Sequence, residues 1–170
     1  MMSPRLFFTT RVFLLATLVL ATAHTPAFAR VGEPLAKLKK HFDTSPERES
    51  PKNMAIWFIE SIDGALVYTA TFNAQGLSIS EGIKPLKRAV LTTKIAEDFI
   101  RDQMVPLEGS PTSRVVPPGQ AYLFAGQSLV CGENEFVMVD DGRGLLLIWS
   151  RGGIPSVMAI SREMLLTPSR

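Results

Sequence analysis

Carboxylates carry the only pattern in this sequence that resembles a chemical site. Glu133 and Glu135 bracket one asparagine, and Asp140-Asp141 follows a few residues later. Asp98 and Asp102 stand at helical spacing. Alternating acids in a loop can hold calcium, but this spacing matches no calcium loop. Because aspartate and asparagine favour turns, we interpret the first four acids as turn residues and the helical pair as surface charges.

Nucleophiles and metal ligands are scarce. Cys131 is the only cysteine, and the two histidines are His24 and His41. The run from Gly126 to Val130 has the serine of G-x-S-x-G but lacks its final glycine. One cysteine allows no internal disulfide and too few ligands for structural zinc. We therefore predict no catalytic, cofactor-binding or metal-binding residue and no cofactor, and we interpret Cys131 as a buried small hydrophobe.

The N-terminus has the three parts of a cleavable secretory signal. Arg5 and Arg11 form a basic start, and residues 12–23 are almost wholly apolar. Ala27 and Ala29 then supply the small-x-small pattern that a signal peptidase needs. The apolar run is shorter than the 20 or so residues of a spanning helix. We predict that residues 1–29 are removed, and that membrane contact ends with them.

The predicted mature chain, residues 30–170, is electrically balanced. The whole chain has 18 basic and 16 acidic residues, and residues 1–29 contain two arginines and no acid. Sixteen of each sign therefore remain. A nucleic-acid-binding domain usually keeps a basic excess, so we expect no nucleic-acid partner. The length suits one domain with its own core, in the periplasm or outside the cell.

Two segments have helical periodicity. Residues 33–42 place Leu35, Leu38 and Phe42 on one face, which predicts a short helix. Thr92 or Thr93 suits the N-cap of a second helix that ends near Met104. In that helix an apolar face opposes a charged one that includes Asp98 and Asp102.

Residues 54–73 predict a β-hairpin. Two β-rich runs flank Asp63-Gly64, a dipeptide typical of tight two-residue turns. That turn pairs Trp57 with Ala70, and it directs Trp57, Tyr68 and Phe72 towards the core. The opposite face is mixed. We predict that Ile56, Phe58 and Val67 on that face are either partly covered or form an interaction surface.

The C-terminal half predicts a β-meander. We expect strands near residues 122–131, 136–139, 145–150 and 156–160, separated by glycine-containing turns. Residues 106–120 contain four prolines and predict a loop. The expected fold is α+β in a single domain, with an antiparallel hairpin and meander and one or two short helices.

The order of a short helix, a polar loop and a hairpin carries a resemblance. With residues 31–38 (VGEPLAKL) at its start, it resembles the opening of BamE/OmlA-like envelope modules. It is also similar to small exported proteins of unknown function from planctomycete and verrucomicrobial bacteria. The resemblance covers about residues 31–73 and departs at His41-Phe42-Asp43, where those modules often have Leu-Gly-x-Pro. It implies an α+β envelope domain that binds other proteins, and it assigns no functional residue.

Export, the missing catalytic motifs and the neutral charge together favour a non-enzymatic envelope protein that binds or scaffolds another protein. Two alternatives remain open. One is a small exported hydrolase whose carboxylates meet from separate elements. The other is an inhibitor that presents residues 106–120 to an exported enzyme.

Overall fold

The computed structural model describes residues 30–50, 53–61, 63–104 and 112–166, with residues 48–50 described by their backbone alone. It contains three helices and ten strands in these ranges. In chain order they are α1 (Leu35–His41), β1 (Arg48–Ser50), β2 (Met54–Ile59), β3 (Leu66–Phe72), β4 (Ser78–Pro85), α2 (Thr93–Met104), β5 (Ser113–Val116), β6 (Ala121–Phe124), β7 (Gln127–Val130), β8 (Glu135–Asp140), β9 (Leu145–Ser150), β10 (Ser156–Ser161) and α3 (Arg162–Leu166).

Eight of the strands form one antiparallel sheet. Their spatial order is β1-β2-β3-β4-β10-β9-β8-β5, and β6 and β7 form a separate two-stranded hairpin. The sheet joins the predicted hairpin to the predicted meander through the pairing of β4 with β10. The predicted α+β class and single compact domain are therefore confirmed.

The helical face of the sheet holds the larger core. Trp57, Tyr68 and Phe99 are buried there, and Phe42 packs against the rings of Trp57 and Tyr68. Helix α2 begins where the Thr92 hydroxyl accepts a hydrogen bond from the Ile95 amide at 3.3 Å, which is the N-cap that the sequence predicts.

The other face has a smaller core at one end only. There the β6-β7 hairpin and α3 cover strands β5, β8 and β9. Tyr122, Phe124 and Cys131 pack on Val137 and Leu146 within this cluster. Burial on both faces explains why Leu145, Leu146 and Leu147 follow each other without polar alternation.

The register of the β2-β3 hairpin differs by two residues from the prediction. Trp57 pairs with Tyr68, and Ile59 with Leu66, so a six-residue connection replaces the two-residue turn. The loop that contains Ala89 and Val90 holds this connection in place. The Val90 amide donates to the Asp63 carbonyl, and Gly64 lies against Ala89. A shift of two preserves side-chain alternation, so the predicted core face of this hairpin is correct.

Three further predictions need correction. Residues 113–116 form edge strand β5 inside the stretch predicted as a loop, while residues 105–111 lie outside the described ranges. The single strand predicted over residues 122–131 is the β6-β7 hairpin, whose turn residues Ala125 and Gly126 both have positive φ. Asp98, predicted to face water, is 8% exposed and lies between Lys94 and Arg101.

Among the described helices, none combines the length and the apolar character that crossing a bilayer requires. The predicted cleavage residues Ala27 and Ala29 belong to residues 1–29, which are outside the described ranges.

Candidate functional site

One part of the large sheet has no described element packed over it. We call this surface the open face: the side of β2, β3, β4 and the start of β10 that points away from α2. Cross-strand rows join its members, as in the row Ile56–Thr69–Gly82–Met158. Its residues are Met54, Ile56, Phe58, Val67, Thr69, Thr71, Ser80, Gly82, Lys84 and Met158.

The three residues predicted as an interaction surface all lie on this face, but not equally near solvent. Phe58 is 50% exposed, and Ile56 is partly exposed. Val67 is 7% exposed, because it lies between its cross-strand neighbours Phe58 and Lys84. Val67 is therefore buried between its neighbours and is not accessible to a partner. Met158, which is 36% exposed, is a further accessible apolar side chain of the open face.

The open face has the composition of an interface centre rather than that of an ordinary wet surface. Its ten members include an aromatic ring, two methionines and small hydroxyl side chains, and Lys84, at the end of the Phe58–Val67–Lys84 row, is its one charged member. The centres of protein interfaces are depleted in charge and enriched in aromatic residues and methionine. Gly82 has no side chain there, and an added Cβ would lie 3.4 Å from the Cβ of Met158.

An apolar groove of about 470 Å³ lies between α2 and strands β8 and β9. The groove is lined by the apolar residues Ile100, Met138 and Trp149. The charged residues Glu97 and Arg101 also line it. The Arg151 guanidinium lies 4.6 Å from the centre of the Trp149 ring. The groove therefore offers apolar contact with charges at its border.

The most concentrated polar cluster is buried beneath the helices. Glu81 is 1% exposed, and its Oε2 accepts hydrogen bonds from the Tyr68 hydroxyl at 2.6 Å and the Gln103 amide at 2.9 Å. Its Oε1 lies 2.7 Å from the Ser78 hydroxyl. Strands β3 and β4 and helix α2 each contribute a partner, and we call this group the Glu81 network.

A β-bulge makes the Glu81 network. Thr71 pairs with Ser80 and Phe72 with Ser78, so Ile79 is an extra residue in β4. Residues 78 and 81 would face opposite sides of a regular strand. The bulge turns both to the helical side, where the Ser78 hydroxyl meets the carboxyl group.

Burial changes the acidity of this cluster. It raises the pKa of Glu81 above the ordinary glutamate value, and three hydrogen bonds oppose that rise only in part. Burial, with the Glu81 carboxylate beside it, also raises the pKa of Tyr68 far above its usual value. Tyr68 therefore remains a hydrogen-bond donor. No edge of the Glu81 carboxyl group is open to a substrate.

Three acids of the C-terminal half have local structural partners. Glu135 accepts the Gly132 amide at 2.8 Å, and Asp140 accepts the Arg143 amide at 2.8 Å, so both stabilise turns. Asp141 pairs with Arg114. Across the described ranges, no three histidine, cysteine, aspartate or glutamate side chains are grouped as a metal site would require.

Cys131 is a free thiol that is 1% exposed, as the sequence predicts. Burial, followed by the carboxylates of Glu135 and Glu133, raises its pKa, which keeps the thiol protonated and unreactive. His41 is exposed on α1, where its ring meets the edge of Phe42. Among the described residues, His41 is the one histidine, and its ring contact is with Phe42 rather than with Cys131 or Ser128.

Comparisons with protein-family models, with curated proteins and with solved structures found no match for this chain. The resemblance to envelope modules therefore remains a prediction.

Proposed function

We propose that this protein is an exported envelope module that binds another protein through the open face, without catalysing a reaction. The observation that carries the proposal is a continuous sheet surface with a single charged member, Lys84, on which Phe58, Ile56 and Met158 remain accessible. A surface of this kind rarely stays large and unpaired on a monomeric protein.

The sheet beneath the open face supports this role. Ile56 and Phe58 lie on β2, which pairs with β3 along its whole length and with β1 over residues 54–56, and their neighbours Ala55 and Trp57 are anchored in the core. The accessible side chains are therefore held by a backbone that cannot easily rearrange. A rigid, preorganised surface loses little conformational entropy on binding.

The partner that fits best is another exported protein with an apolar, weakly charged contact surface. Charged groups of a partner would lose hydration against Phe58 and Met158, and the one charge on the open face is Lys84, at the end of the Phe58–Val67–Lys84 row. Thr69, Thr71 and Ser80 can accept and donate hydrogen bonds there. This pattern favours a protein surface over a nucleic acid or a charged small molecule.

The enzyme alternative has less support. Glu81 is closed to solvent and hydrogen-bonded, Glu135 accepts the Gly132 amide, and Asp140 accepts through Oδ1, while its buried Oδ2 has no partner among the described residues. An inhibitor that presents residues 106–120 would need those residues to be available as a free loop. Residues 113–116 are paired with β8, which leaves a shorter segment for that role.

Affinity capture from the envelope fraction tests the proposal with two matched variants. Phe58→Asp places a charge on the open face, whereas Leu123→Asp places one on the outer side of the β6-β7 hairpin. Both parent residues are at least half exposed, at 50% and 62%, so both variants should fold. We expect a protein that the wild type and Leu123→Asp enrich equally and that Phe58→Asp loses about tenfold or more.

The two variants must first show the thermal unfolding of the wild type. If both variants capture the same proteins as the wild type, the open face is not the binding surface. If Leu123→Asp alone loses the partner, binding belongs to the hairpin.

A further inference from the structure

A small pocket lies at the end of the large sheet, where β4, β9 and β10 meet the first described residues. Its volume is about 270 Å³. Sites for drug-sized molecules measure about 300–1,000 Å³, so this pocket suits a smaller ligand. We call it the Arg143 pocket. Its charged lining residues are Arg143 and Glu163, and its apolar ones are Val31, Leu77, Ile79 and Leu145.

Arg143 has hydrogen-bond donors that the described protein does not use. The Asp140 carboxylate accepts the Arg143 backbone amide at 2.8 Å, and the Arg143 Nη1 donates to the Gln103 carbonyl at 3.2 Å. Among the described residues, Arg143 forms no ion pair, and its other guanidinium nitrogens have no acceptor. A guanidinium group has five N–H donors and can bind a carboxylate through two parallel hydrogen bonds. Arg143 therefore provides the pocket with a site for a carboxylate.

Ser161 contributes a hydroxyl group that lacks a partner. It pairs with Leu145 across the sheet, so both side chains lie on the helical side, and both residues line the pocket. The Ser161 Oγ is shielded from solvent and has no hydrogen-bond partner among the described residues. A buried hydroxyl group in this state costs free energy. A bound acceptor beside Ser161 would remove that cost.

Glu163 adds a negative charge to the same pocket. Its Oε2 accepts a hydrogen bond from the Asn73 side-chain amide at 3.0 Å, and both residues line the pocket. A carboxylate has about four acceptor positions, so Glu163 can also accept from an ammonium group. A ligand with only a negative charge would be repelled by Glu163, and one with only a positive charge by Arg143. A ligand that has both charges finds an opposite charge for each.

We propose that the Arg143 pocket binds a free apolar amino acid in its zwitterionic form. The ligand carboxylate contacts Arg143 and the Ser161 hydroxyl, and the ligand ammonium group contacts Glu163. The ligand side chain packs on Leu77 and Leu145. Leu77 is 39% exposed, so this packing removes apolar surface from water. Apolar walls with a few polar groups that fix orientation are typical of small-molecule sites.

The pocket and the open face are separate surfaces. Leu145 belongs to the core on the helical side of the sheet, whereas the open face points away from α2. Phe58→Asp should therefore leave amino acid binding unchanged. Failure of the open face to bind a protein and failure of the pocket to bind an amino acid are distinguishable results.

NMR titration of the isotope-labelled exported protein with three ligands of the same side chain tests the proposal. L-leucine has both charges, N-acetyl-leucine has only the carboxylate, and leucinamide has only the ammonium group. We expect L-leucine to shift the amide signals of Gly32 and Gly144 to saturation, with a Kd of about 1 mM or tighter. The other two should bind roughly tenfold more weakly, because each lacks one charged contact.

Two results of this titration would overturn the proposal. One is the absence of saturation by L-leucine at roughly 20 mM. The other is equal binding of L-leucine and N-acetyl-leucine, which would identify a site for a carboxylate alone, such as a peptide C-terminus.

Charge variants assign the two ends of the ligand. Arg143→Gln should lose the preference for L-leucine over leucinamide, and Glu163→Gln should lose the preference over N-acetyl-leucine. Arg114→Gln is the matched control, because it removes an arginine on edge strand β5 that pairs with Asp141. It should keep both preferences. An unchanged preference in either pocket variant, or an equal loss in the control, would overturn the proposal.

Ser161→Ala separates a ligand contact from a structural role. Because the hydroxyl has no described partner, its removal should leave the thermal unfolding temperature unchanged or raise it. Binding of L-leucine should weaken about fivefold, which corresponds to one hydrogen bond. A lower unfolding temperature with unchanged binding would show that the hydroxyl stabilises the fold, and it would overturn the contact with the ligand.

Discussion

At the scale of single residues, the Glu81 network determines how a buried acid is tolerated in this core. Its carboxyl group has no basic partner, and three neutral donors replace the water that it loses. A buried polar group costs free energy unless such donors are present. The network therefore holds β3, β4, α2 and residues 30–34 in one arrangement.

Removing one donor should be costly. We expect Tyr68→Phe to lower the free energy of unfolding by about 1–3 kcal/mol, because Glu81 loses a hydrogen bond that water cannot replace. Tyr122→Phe is the matched control, since Tyr122 is also buried but has no described side-chain hydrogen bond. Denaturant titration of both variants measures the difference, and an equal loss in both would show that the hydroxyl of Tyr68 does not stabilise Glu81.

The sequence contains a signal for this network that is easy to miss. Glu81 alternates with Ile79 and Ile83, two apolar residues, which places a charge on an apolar face. The bulge at Ile79, which brings Ser78 to the same side, depends on pairing with Phe72. Pairing of this kind is a tertiary property, so the cluster could not be predicted from spacing alone.

At the scale of elements, the alternation of β2 decides which side chains stabilise the fold and which remain available for binding. Trp57 is 2% exposed and its neighbour Phe58 is 50% exposed. We expect Trp57→Ala to cost about 3–5 kcal/mol of unfolding free energy. Phe58→Ala should cost about 1 kcal/mol or less, because a half-exposed ring buries less area. Thermal or denaturant unfolding compares the two, and similar losses would mean that the open face is covered in the native protein.

The connection between β2 and β3 gives a second test at this scale. Gly64 has a φ of +104°, and an added Cβ would lie 2.8 Å from the Cβ of Ala89. Gly76 also has positive φ, but an added Cβ there meets open space. Gly76→Ala should therefore cost only backbone strain of about 1–2 kcal/mol. Gly64→Ala should cost about 1–3 kcal/mol more, because the two loops must separate.

Equal unfolding free energies for the two glycine variants would contradict the packing of this connection against residues 86–90.

The same packing explains the error of two residues in the predicted register. Asp63-Gly64 does lie in a turn, since the Gly64 amide donates to the Ser61 carbonyl. A neighbouring loop lengthens the connection, and no local pattern shows that contact.

The elements that sequence patterns located best are those with strong periodicity and a cap or turn. Helix α2 begins beside Thr92 and ends at Met104 as predicted. Strand β5 was missed because it is a four-residue edge strand within a segment rich in proline and glycine. The β6-β7 turn was missed because Ala125-Gly126 is a weaker turn signal than an asparagine-glycine pair.

At the scale of the whole molecule, the described residues form one compact α+β domain, and residues 30–170 contain sixteen basic and sixteen acidic residues. We predict that the exported protein has the mass of residues 30–170, because the small-x-small pattern ends at Ala29. Intact-mass spectrometry of the exported fraction checks this. A full-length product retained in the membrane would show that the first segment is an anchor, and the partner would then be sought at the membrane surface.

Site-specific photo-cross-linking in cells tests whether the open face binds another exported protein. A photoreactive residue replaces Phe58 on the open face or, as the control, Leu123 on the hairpin, which is 62% exposed. We expect a discrete protein adduct from position 58 that position 123 does not give. Ile56→Asp should abolish this adduct. Recovery of only monomeric, uncross-linked protein from position 58, or the same adducts from both positions, would contradict binding through the open face.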